Sequence, residues 1–436
     1  MAKNKINVGI IGFGTVGTGT AKILLENAAI IKKRAGFDVV LKKIADLDIT
    51  RDRGIKVPEG VLTTDAKALL NDPEIDIVVE LMGGVRPAKD FMLQAIKNKK
   101  HVVTANKALL ATEGKDIFAE AANNGVEVGF EASVAGGIPI IKVVREGLTA
   151  NNITAVYGII NGTCNYILTK MTNEKAEFSD TLKEAQKLGY AEADPTFDIE
   201  GIDTAHKLTI LASLAYGIPL SFDKVYTEGI TKITAHDISF ASELGYKIKL
   251  LAIAKISDGG IELRVHPTML PEDYMIAKVD GVFNAVFVEG DAVGSTLYYG
   301  RGAGDLPTGS AVVADIIDIA RNIVNGGVLR VPGISPDEKG VGTIKNMEDI
   351  ESSYYFRFSA FDQPGVLSKI AGVFGSYNIS IKSVIQKGRR IGGSVPLVVL
   401  THSAKEKDVL SALKEIEALN AVSDKTIVIR VEGKEG

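Results

Sequence analysis

Between Gly189 and Leu208 the chain gathers Glu192, Asp194, Asp198, Glu200 and Asp203 around a single lysine, Lys207. From Gly201 the pattern IDTAHKLTILASLAYG reads as a helix, so Asp203 and Lys207 stand one turn apart on one face. At about 100° per residue that face continues through Ile210, Leu211 and Leu214, while His206, Thr209 and Ser213 lie opposite. The acid and the amine therefore share the apolar stripe. An ordinary i,i+4 surface pair, worth roughly 0.3–0.5 kcal/mol, is the alternative reading. Against it, taking a lone ammonium out of water costs several kcal/mol unless the charge is paired, and a pair kept at that cost is better used lining a cleft. Lysine suits proton transfer near neutral pH because desolvation moves its pKa readily. With further carboxylates upstream to hold an ammonium group, the segment reads as a site for a small zwitterion.

A second chemical signal opens the chain. Gly12, Gly14 and Gly17 form GxGxxG in GFGTVG, directly after a strand pattern and at the start of a helix. The first glycine permits a tight turn, the second admits a pyrophosphate close to the backbone, and the third lets the helix pack on the sheet. The loop of Gly12, Phe13, Gly14, Thr15, Val16 and Gly17 thus predicts a dinucleotide cofactor at a helix N-terminus. Asp46 ends the second strand, where an acid can bond the ribose hydroxyls, although it lies further on than usual; Arg51 and Arg53 follow and can instead meet a 2′-phosphate. NAD and NADP both stay open. Gly83 and Gly84 in ELMGG, and Thr104, Asn106 and Lys107 in TANK, fall at later strand ends, where ligands of open α/β sheets bind; Lys107 is expected to point toward nicotinamide and substrate. Its alternative role is a solvated lysine opening a helix.

The elements that would hold these groups follow from periodicity. Strand patterns at Ile6–Ile11, Val39–Ala45, Ile75–Leu81, His101–Thr104 and Val126–Phe130 alternate with helical patterns at Val16–Lys33, Pro87–Asn98 and Gly114–Asn123. This predicts an α/β, Rossmann-type doubly wound parallel sheet over 1–134. An α+β substrate domain follows over 135–330, with the acidic segment at its centre and a glycine-rich GRGAGDLPTGS leading into a helix, Ala311–Ile323, that returns to the first domain. Residues 331–352 read as a linker, and 353–436 as a ferredoxin-like βαββαβ tail.

Composition bounds the partners. The 436 residues carry 50 Lys and Arg against 54 Asp and Glu, a net charge of −4. That balance argues against nucleic acid or an anionic membrane as principal partner. The only cysteine, Cys164, excludes a disulfide framework and metal-ligand spacing, and reads as a small buried thiol. MAKNK passes straight into an apolar strand with no signal-peptide pattern, and nowhere do 18 apolar residues run together. A soluble, cytoplasmic protein is expected.

The blocks GFGTVG, TANKALL, EASVAGGIPII, NGTCNYI, the acidic helix with Asp203 and Lys207, and GRGAGDLPTGSAVVADI resemble, in this order, those of the homoserine dehydrogenase family, over nearly the whole chain. The resemblance implies reversible oxidation of L-homoserine to L-aspartate 4-semialdehyde with NAD or NADP, in the biosynthesis of threonine, methionine and isoleucine. By position it implies Lys207 as acid/base with Lys107 and Asp203 beside it, and Glu192, Asp198, Asp203, Tyr190, Gly189 and Thr163 around the substrate. It adds Gly304 to the cofactor site, and a monovalent cation, sodium, held by Glu131, Val134, Gly136 and Ile138. NADP-preferring members often carry arginine just before the acid that ends strand two; Ala45 stands there in this chain, which favours NAD or dual use. The tail resembles an ACT domain, in which Asp362, Pro364 and Gly365 shape the loop entering a helix whose free N–H groups can hold an amino-acid effector, threonine by pathway logic. A homodimer or homotetramer is implied. Another semialdehyde or amino-acid dehydrogenase on the same fold, such as aspartate dehydrogenase, or a ligand sensor without turnover, are the rival readings; a sensor needs neither Lys107 nor the Asp203–Lys207 pair. Removing the tail before Ser352 is expected to leave turnover and abolish the effector response.

Overall fold

Six parallel strands form a sheet in the order Leu62–Thr63, Asp38–Ala45, Lys5–Ile11, Ile77–Glu80, His101–Thr104, Val128–Gly129, and the four in its middle are runs rich in valine and isoleucine. From Lys5–Ile11 the chain builds outward first to one side and then to the other, so the strand order reverses beside the GxGxxG turn, the place where such sheets bind ligands. The computed structural model describes residues 3–327, 334, 342–388 and 393–433. Within them the chain forms two compact units: Met1–Ile160 with Asp203–Val225 and Phe283–Val341, and Asn161–Ile202 with Tyr226–Val282 and Gly342–Gly436. Among the described residues no helix is long and apolar enough to cross a membrane.

The first unit differs in detail from the pattern expected. One helix over Val16–Lys33 is in fact two, Thr15–Glu26 and Ala28–Ala35, parted at Asn27. The helix expected from Gly114 begins at Lys107, because the Asn106 side chain accepts from the Leu109 N–H and caps it. The last strand shrinks to Val128–Gly129, and a strand and helix at Leu62–Thr63 and Ala66–Asn71 are too short to leave a period in the sequence. The helix Asp305–Val324 does lie against Thr15–Glu26, and glycine makes the approach possible. A Cβ on Gly19 would sit 2.2 Å from the Asp305 carbonyl oxygen, and one on Gly309 would sit 2.8 Å from the Thr20 nitrogen. Strands Ile153–Ile159, Phe283–Gly290 and Gly294–Arg301 form an antiparallel ladder in the same unit.

The second unit is built on a long hairpin, Tyr246–Ser257 with Gly260–Pro271, paired along its whole length. Its sheet continues through Ile427–Val431, Glu351–Phe361, Ser394–Thr401 and Ile381–Gln386. With the helices Val366–Ser376 and Glu406–Glu417, these last four strands give the βαββαβ order. Tyr354, Phe356, Phe358, Ile370, Phe374 and Ile416 form its core. Of the expected linker, 331–333 and 335–341 lie outside the described residues, whereas Thr343 and Lys345 bond the backbone of Ile261 as an added short ladder.

Candidate active site

The helix Ile202–Tyr216 starts one residue after Gly201, whose φ of 81° only glycine adopts at little cost. The reading of this helix as two-faced is overturned: His206, Thr209 and Ser213 are buried along with Asp203 and Lys207. Two of the buried hydroxyls are satisfied, Thr209 donating to the Ala205 carbonyl at 2.8 Å and Ser213 to the Ile218 carbonyl at 2.6 Å, while the Thr204 hydroxyl has no hydrogen-bond partner among the described residues. A helix buried on all sides carries polar residues on a face that a two-face count assigns to solvent.

Within this helix Lys207 donates to Asp203 Oδ2 at 2.7 Å and to the Ile160 carbonyl at 2.7 Å. Lys107 Nζ stands 3.3 Å from the other carboxylate oxygen, Oδ1. One buried carboxylate therefore bridges two ammonium groups. The side chain of Lys207 is 11% exposed and that of Lys107 36%, so the cluster meets solvent chiefly through Lys107. Lys107 is delivered by the end of His101–Thr104, where Thr104 donates to Glu80 at 2.7 Å and Asn106 donates to the Gly84 carbonyl at 2.6 Å. Glu80 also accepts from the Met82 and Gly83 N–H groups, tying both loops together; burial pushes its carboxyl up. His206, on the same helix, is pushed below its usual value, first by burial, and packs on Phe222 at 4.2 Å.

The second unit assembles its own group. Asp198 accepts from Asn161 Nδ2 at 2.7 Å and from the Thr163 hydroxyl at 3.2 Å, and Thr163 also donates to the Tyr190 carbonyl at 2.6 Å. The Tyr190 ring lies 4.9 Å from that of Tyr166, and Gly189 turns the chain with a φ of 75°. Glu192 is exposed, its backbone carbonyl taken by Gln186. Cys164 is buried, as expected, and its thiol donates to the Asp198 carbonyl.

At the glycine loop, a Cβ on Gly12 would lie 2.6 Å from the Leu81 backbone and one on Gly17 2.1 Å from the Gly12 oxygen, while Gly14 faces open space. This is the division of labour a dinucleotide loop requires: two glycines for packing, one for approach. Thr15 and Val16 start the helix there. Asp46 accepts from the Phe13 N–H at 2.5 Å and the Asp48 N–H at 2.9 Å. Arg53, one of two arginines in question, lies over the Phe13 ring at 4.8 Å, with Nη2 donating to the Asp48 carbonyl at 2.7 Å. Its Nε is buried and has no hydrogen-bond partner among the described residues. Such an orphaned donor fits a phosphate oxygen. Gly304, with φ 124°, precedes the helix Asp305–Val324.

For the cation, Glu131 is buried and accepts from the Ile141 and Lys142 N–H groups at 2.8 Å each. Its own N–H donates to the half-buried Asp315 at 2.7 Å. Burial pushes the Glu131 carboxyl up to about 7, and burial with the Glu131 charge does the same to Asp315. Two carboxyls that burial disfavours as anions, beside a turn at Ala135 and Gly136 in left-handed conformation, are a donor set that a hard cation would stabilise. Val134 and Ile138 are buried in the same turn.

In the tail, Gly365 caps the helix Val366–Ser376 with a φ of 88°, and the Asp362 N–H is taken by the Gly393 carbonyl. Asp362, Pro364 and Gly365 therefore do form the loop entering that helix. Ile160, Asn161 and Asp315 were not anticipated. A carbonyl that holds a lysine leaves no mark in sequence, whereas NGT before a helix is a visible capping signal, and Asn161 does accept from Cys164 N.

Comparison with known proteins bears on what this geometry serves. A family model described as homoserine dehydrogenase matches residues 139–317, its NAD binding domain matches 12–131, and an ACT domain matches 354–421. A homoserine dehydrogenase of Pseudomonas aeruginosa is 51% identical over 98% of this chain and 99% of its own length. The crystal structure of a homoserine dehydrogenase from Thiobacillus denitrificans matches with a TM-score of 0.93 and 52% identity, covering 98% of each chain. A hyperthermophilic archaeal homoserine dehydrogenase in complex with NADPH matches with a TM-score of 0.61 at 28% identity, over 76% of this chain and 100% of that one.

Proposed function

This chain belongs to the homoserine dehydrogenase family, and on that footing we propose that Lys207 is the acid/base in its NAD(P)-dependent interconversion of L-homoserine and L-aspartate 4-semialdehyde. The observation that carries the reading is the buried Asp203 carboxylate shared between Lys207 and Lys107. A nicotinamide dinucleotide held by the Gly12–Gly17 loop supplies the hydride acceptor in one direction and the donor in the other. In the reductive direction the Lys207 ammonium hands a proton to the aldehyde oxygen as charge develops there, and in the oxidative direction the amine takes the hydroxyl proton. Two ammonium groups against one carboxylate leave a net positive charge, which favours the alkoxide-like oxygen over the ground state. Asp203 and the Ile160 carbonyl fix the direction of the Lys207 side chain, as a proton carrier needs.

The substrate ammonium falls, in this reading, to Asp198 and Glu192, with Tyr190, Gly189 and Thr163 shaping the stretch that carries them. Thr163 and the Asn161 amide hold Asp198 ready as an acceptor. The unpartnered Arg53 Nε supports acceptance of a 2′-phosphate, so NADP joins NAD as cofactor despite Ala45. Sodium at Glu131, Val134, Gly136 and Ile138 would offset two crowded carboxyls and brace the turn. The ACT loop at Asp362, Pro364 and Gly365 takes an amino-acid effector, threonine first. Cytoplasmic location and a homodimer or homotetramer complete the proposal; the exposed edge strand Gly294–Arg301, with Tyr299 55% exposed, supports pairing of subunits. Absorbance at 340 nm with L-homoserine and NAD⁺ or NADP⁺ tests the reading. No turnover with either would favour a sensor, and turnover of L-aspartate without turnover of L-homoserine would favour the other dehydrogenase.

A further inference from the structure

In the second unit a cavity of about 430 Å³ opens where two strands share one edge of Gly260–Pro271. That edge pairs with Tyr226–Thr227 at Arg264 and Val265, and with Ile427–Val431 at Thr268 and Met269. Pro267 lies between the two pairings, has no N–H to offer either strand, and lines the gap they leave. The cavity is thus a product of strand topology. Its volume lies in the range of small-molecule pockets, roughly 300–1,000 Å³.

The lining has two characters. Val409, Leu410 and Leu413, on one face of Glu406–Glu417, make an apolar wall. Charge comes from the other side, and part of it is already spent: buried Arg430 is bound by Glu406, with Nε donating at 2.9 Å, and its Nη1 donates to Glu228 at 3.0 Å. Glu228 shares its charge with that guanidinium, and Glu200 accepts from the Thr231 hydroxyl at 3.1 Å, leaving acceptor capacity on both carboxylates. Lys232 stands exposed in the same lining. Carboxylates, an amine and an aliphatic wall around one small cavity match an α-amino acid with an aliphatic side chain. The ammonium would meet Glu200 and Glu228, the carboxylate Lys232, and the side chain Leu410 and Leu413. A polyanion such as a nucleotide is disfavoured by three glutamates against two cations.

The cavity shares no residue with the Asp362–Gly365 loop. It does include Glu200, which immediately precedes Gly201 and the helix carrying Asp203 and Lys207. Thr227, also in the lining, packs on Gly201 so closely that a Cβ there would lie 3.2 Å from it. We propose that this cavity is a separate effector site for an aliphatic α-amino acid, whose occupation changes turnover by drawing on Glu200 at the entrance to the catalytic helix. The proposal rests on reading the chain as an amino-acid-regulated dehydrogenase.

The test uses the full chain, with L-threonine, L-isoleucine, L-methionine and L-valine as probes, read by calorimetry and by steady-state rates. Leu410→Trp fills the cavity from a half-exposed helix position and Lys232→Glu reverses its free cation; neither residue belongs to the catalytic cluster. The expected result is binding of at least one probe with an effect on rate, weakened about ten-fold or more in both variants and retained in Asp362→Ala, with the rate in the absence of probe unchanged. Binding lost in Asp362→Ala but intact in Leu410→Trp and Lys232→Glu would overturn the cavity and leave the tail loop as the effector site. Absence of binding for all four probes in an active enzyme would overturn the cavity and the regulatory reading together, without touching the dehydrogenase reading.

Discussion

Asp203 divides its two oxygens between Lys107 and Lys207, so deleting either amine leaves the other still paired, whereas deleting the acid leaves two cations facing each other. This asymmetry gives the residue-scale prediction its shape. Lys207→Ala should lower kcat by about 10² to 10⁴, the range for losing a positioned acid/base, while cofactor affinity measured by fluorescence titration holds. A loss of cofactor affinity instead would move Lys207 into the nucleotide site. Arg53→Ala should raise KM for NADP⁺ about ten-fold, since a guanidinium contact to phosphate contributes on the order of 1.5 kcal/mol, and leave KM for NAD⁺ nearly unchanged. Equal effects on both would mean that Arg53 only supports Phe13. At this scale the sequence was most informative where spacing constrains geometry: GxGxxG and the Asp203–Lys207 step are local, and both hold. The Ile160 carbonyl, the capping of the Lys107 helix by Asn106 and the stacking of Arg53 on Phe13 depend on where other segments end, and local spacing does not encode that.

Elements were legible by type more than by length. The parallel strands are legible because valine and isoleucine runs stand out, and their ends are blurred where a loop residue continues the apolar run, as at Ile75. The close crossing of Thr15–Glu26 and Asp305–Val324 depends on Gly19 and Gly309, so Gly309→Val should destabilise the protein by about 1–3 kcal/mol, read as a lowered melting temperature, and weaken cofactor binding with it. An unchanged melting temperature would mean that the two helices can separate freely. At the start of His101–Thr104, the His101 ring nitrogen Nδ1 accepts from the Glu127 N–H at 3.1 Å, and burial pushes the imidazole down to about 4. A depressed imidazole contributes stability that is complete above its unfolded value of about 6.5 and is lost as pH falls toward 4. Melting temperatures taken across that window should drop, and His101→Gln should flatten the drop. A slope identical in the variant would assign it to other groups.

For the whole molecule, the expectation that the tail can be cut away before Ser352 with turnover left intact meets a physical objection. Ile427–Val431 pairs with Gly260–Pro271 on one side and Glu351–Phe361 on the other. Just beyond it, Glu432 binds the fully buried Arg264, which also holds Glu262 at 3.0 Å. Truncation would strip the hairpin of a strand and leave that arginine short of an anion. Glu432→Gln alone should cost roughly 3 kcal/mol, the low end for removing one partner of a buried ion pair, because Glu262 remains; chemical denaturation measures it, and a neutral result would show the pair to be dispensable. The βαββαβ order of the tail was readable from its periodicity. Its attachment was not, because strand pairing over such a separation leaves no periodic trace.

That attachment also dictates when this protein can fold during synthesis. The strand that fills the middle of the second sheet leaves the ribosome after every other strand of that sheet, so a nascent chain carries the finished hairpin with an open, hydrogen-bond-hungry edge until translation reaches Val431. Slow codons or a stall near the end would prolong that exposure, and holding chaperones would find their binding site there.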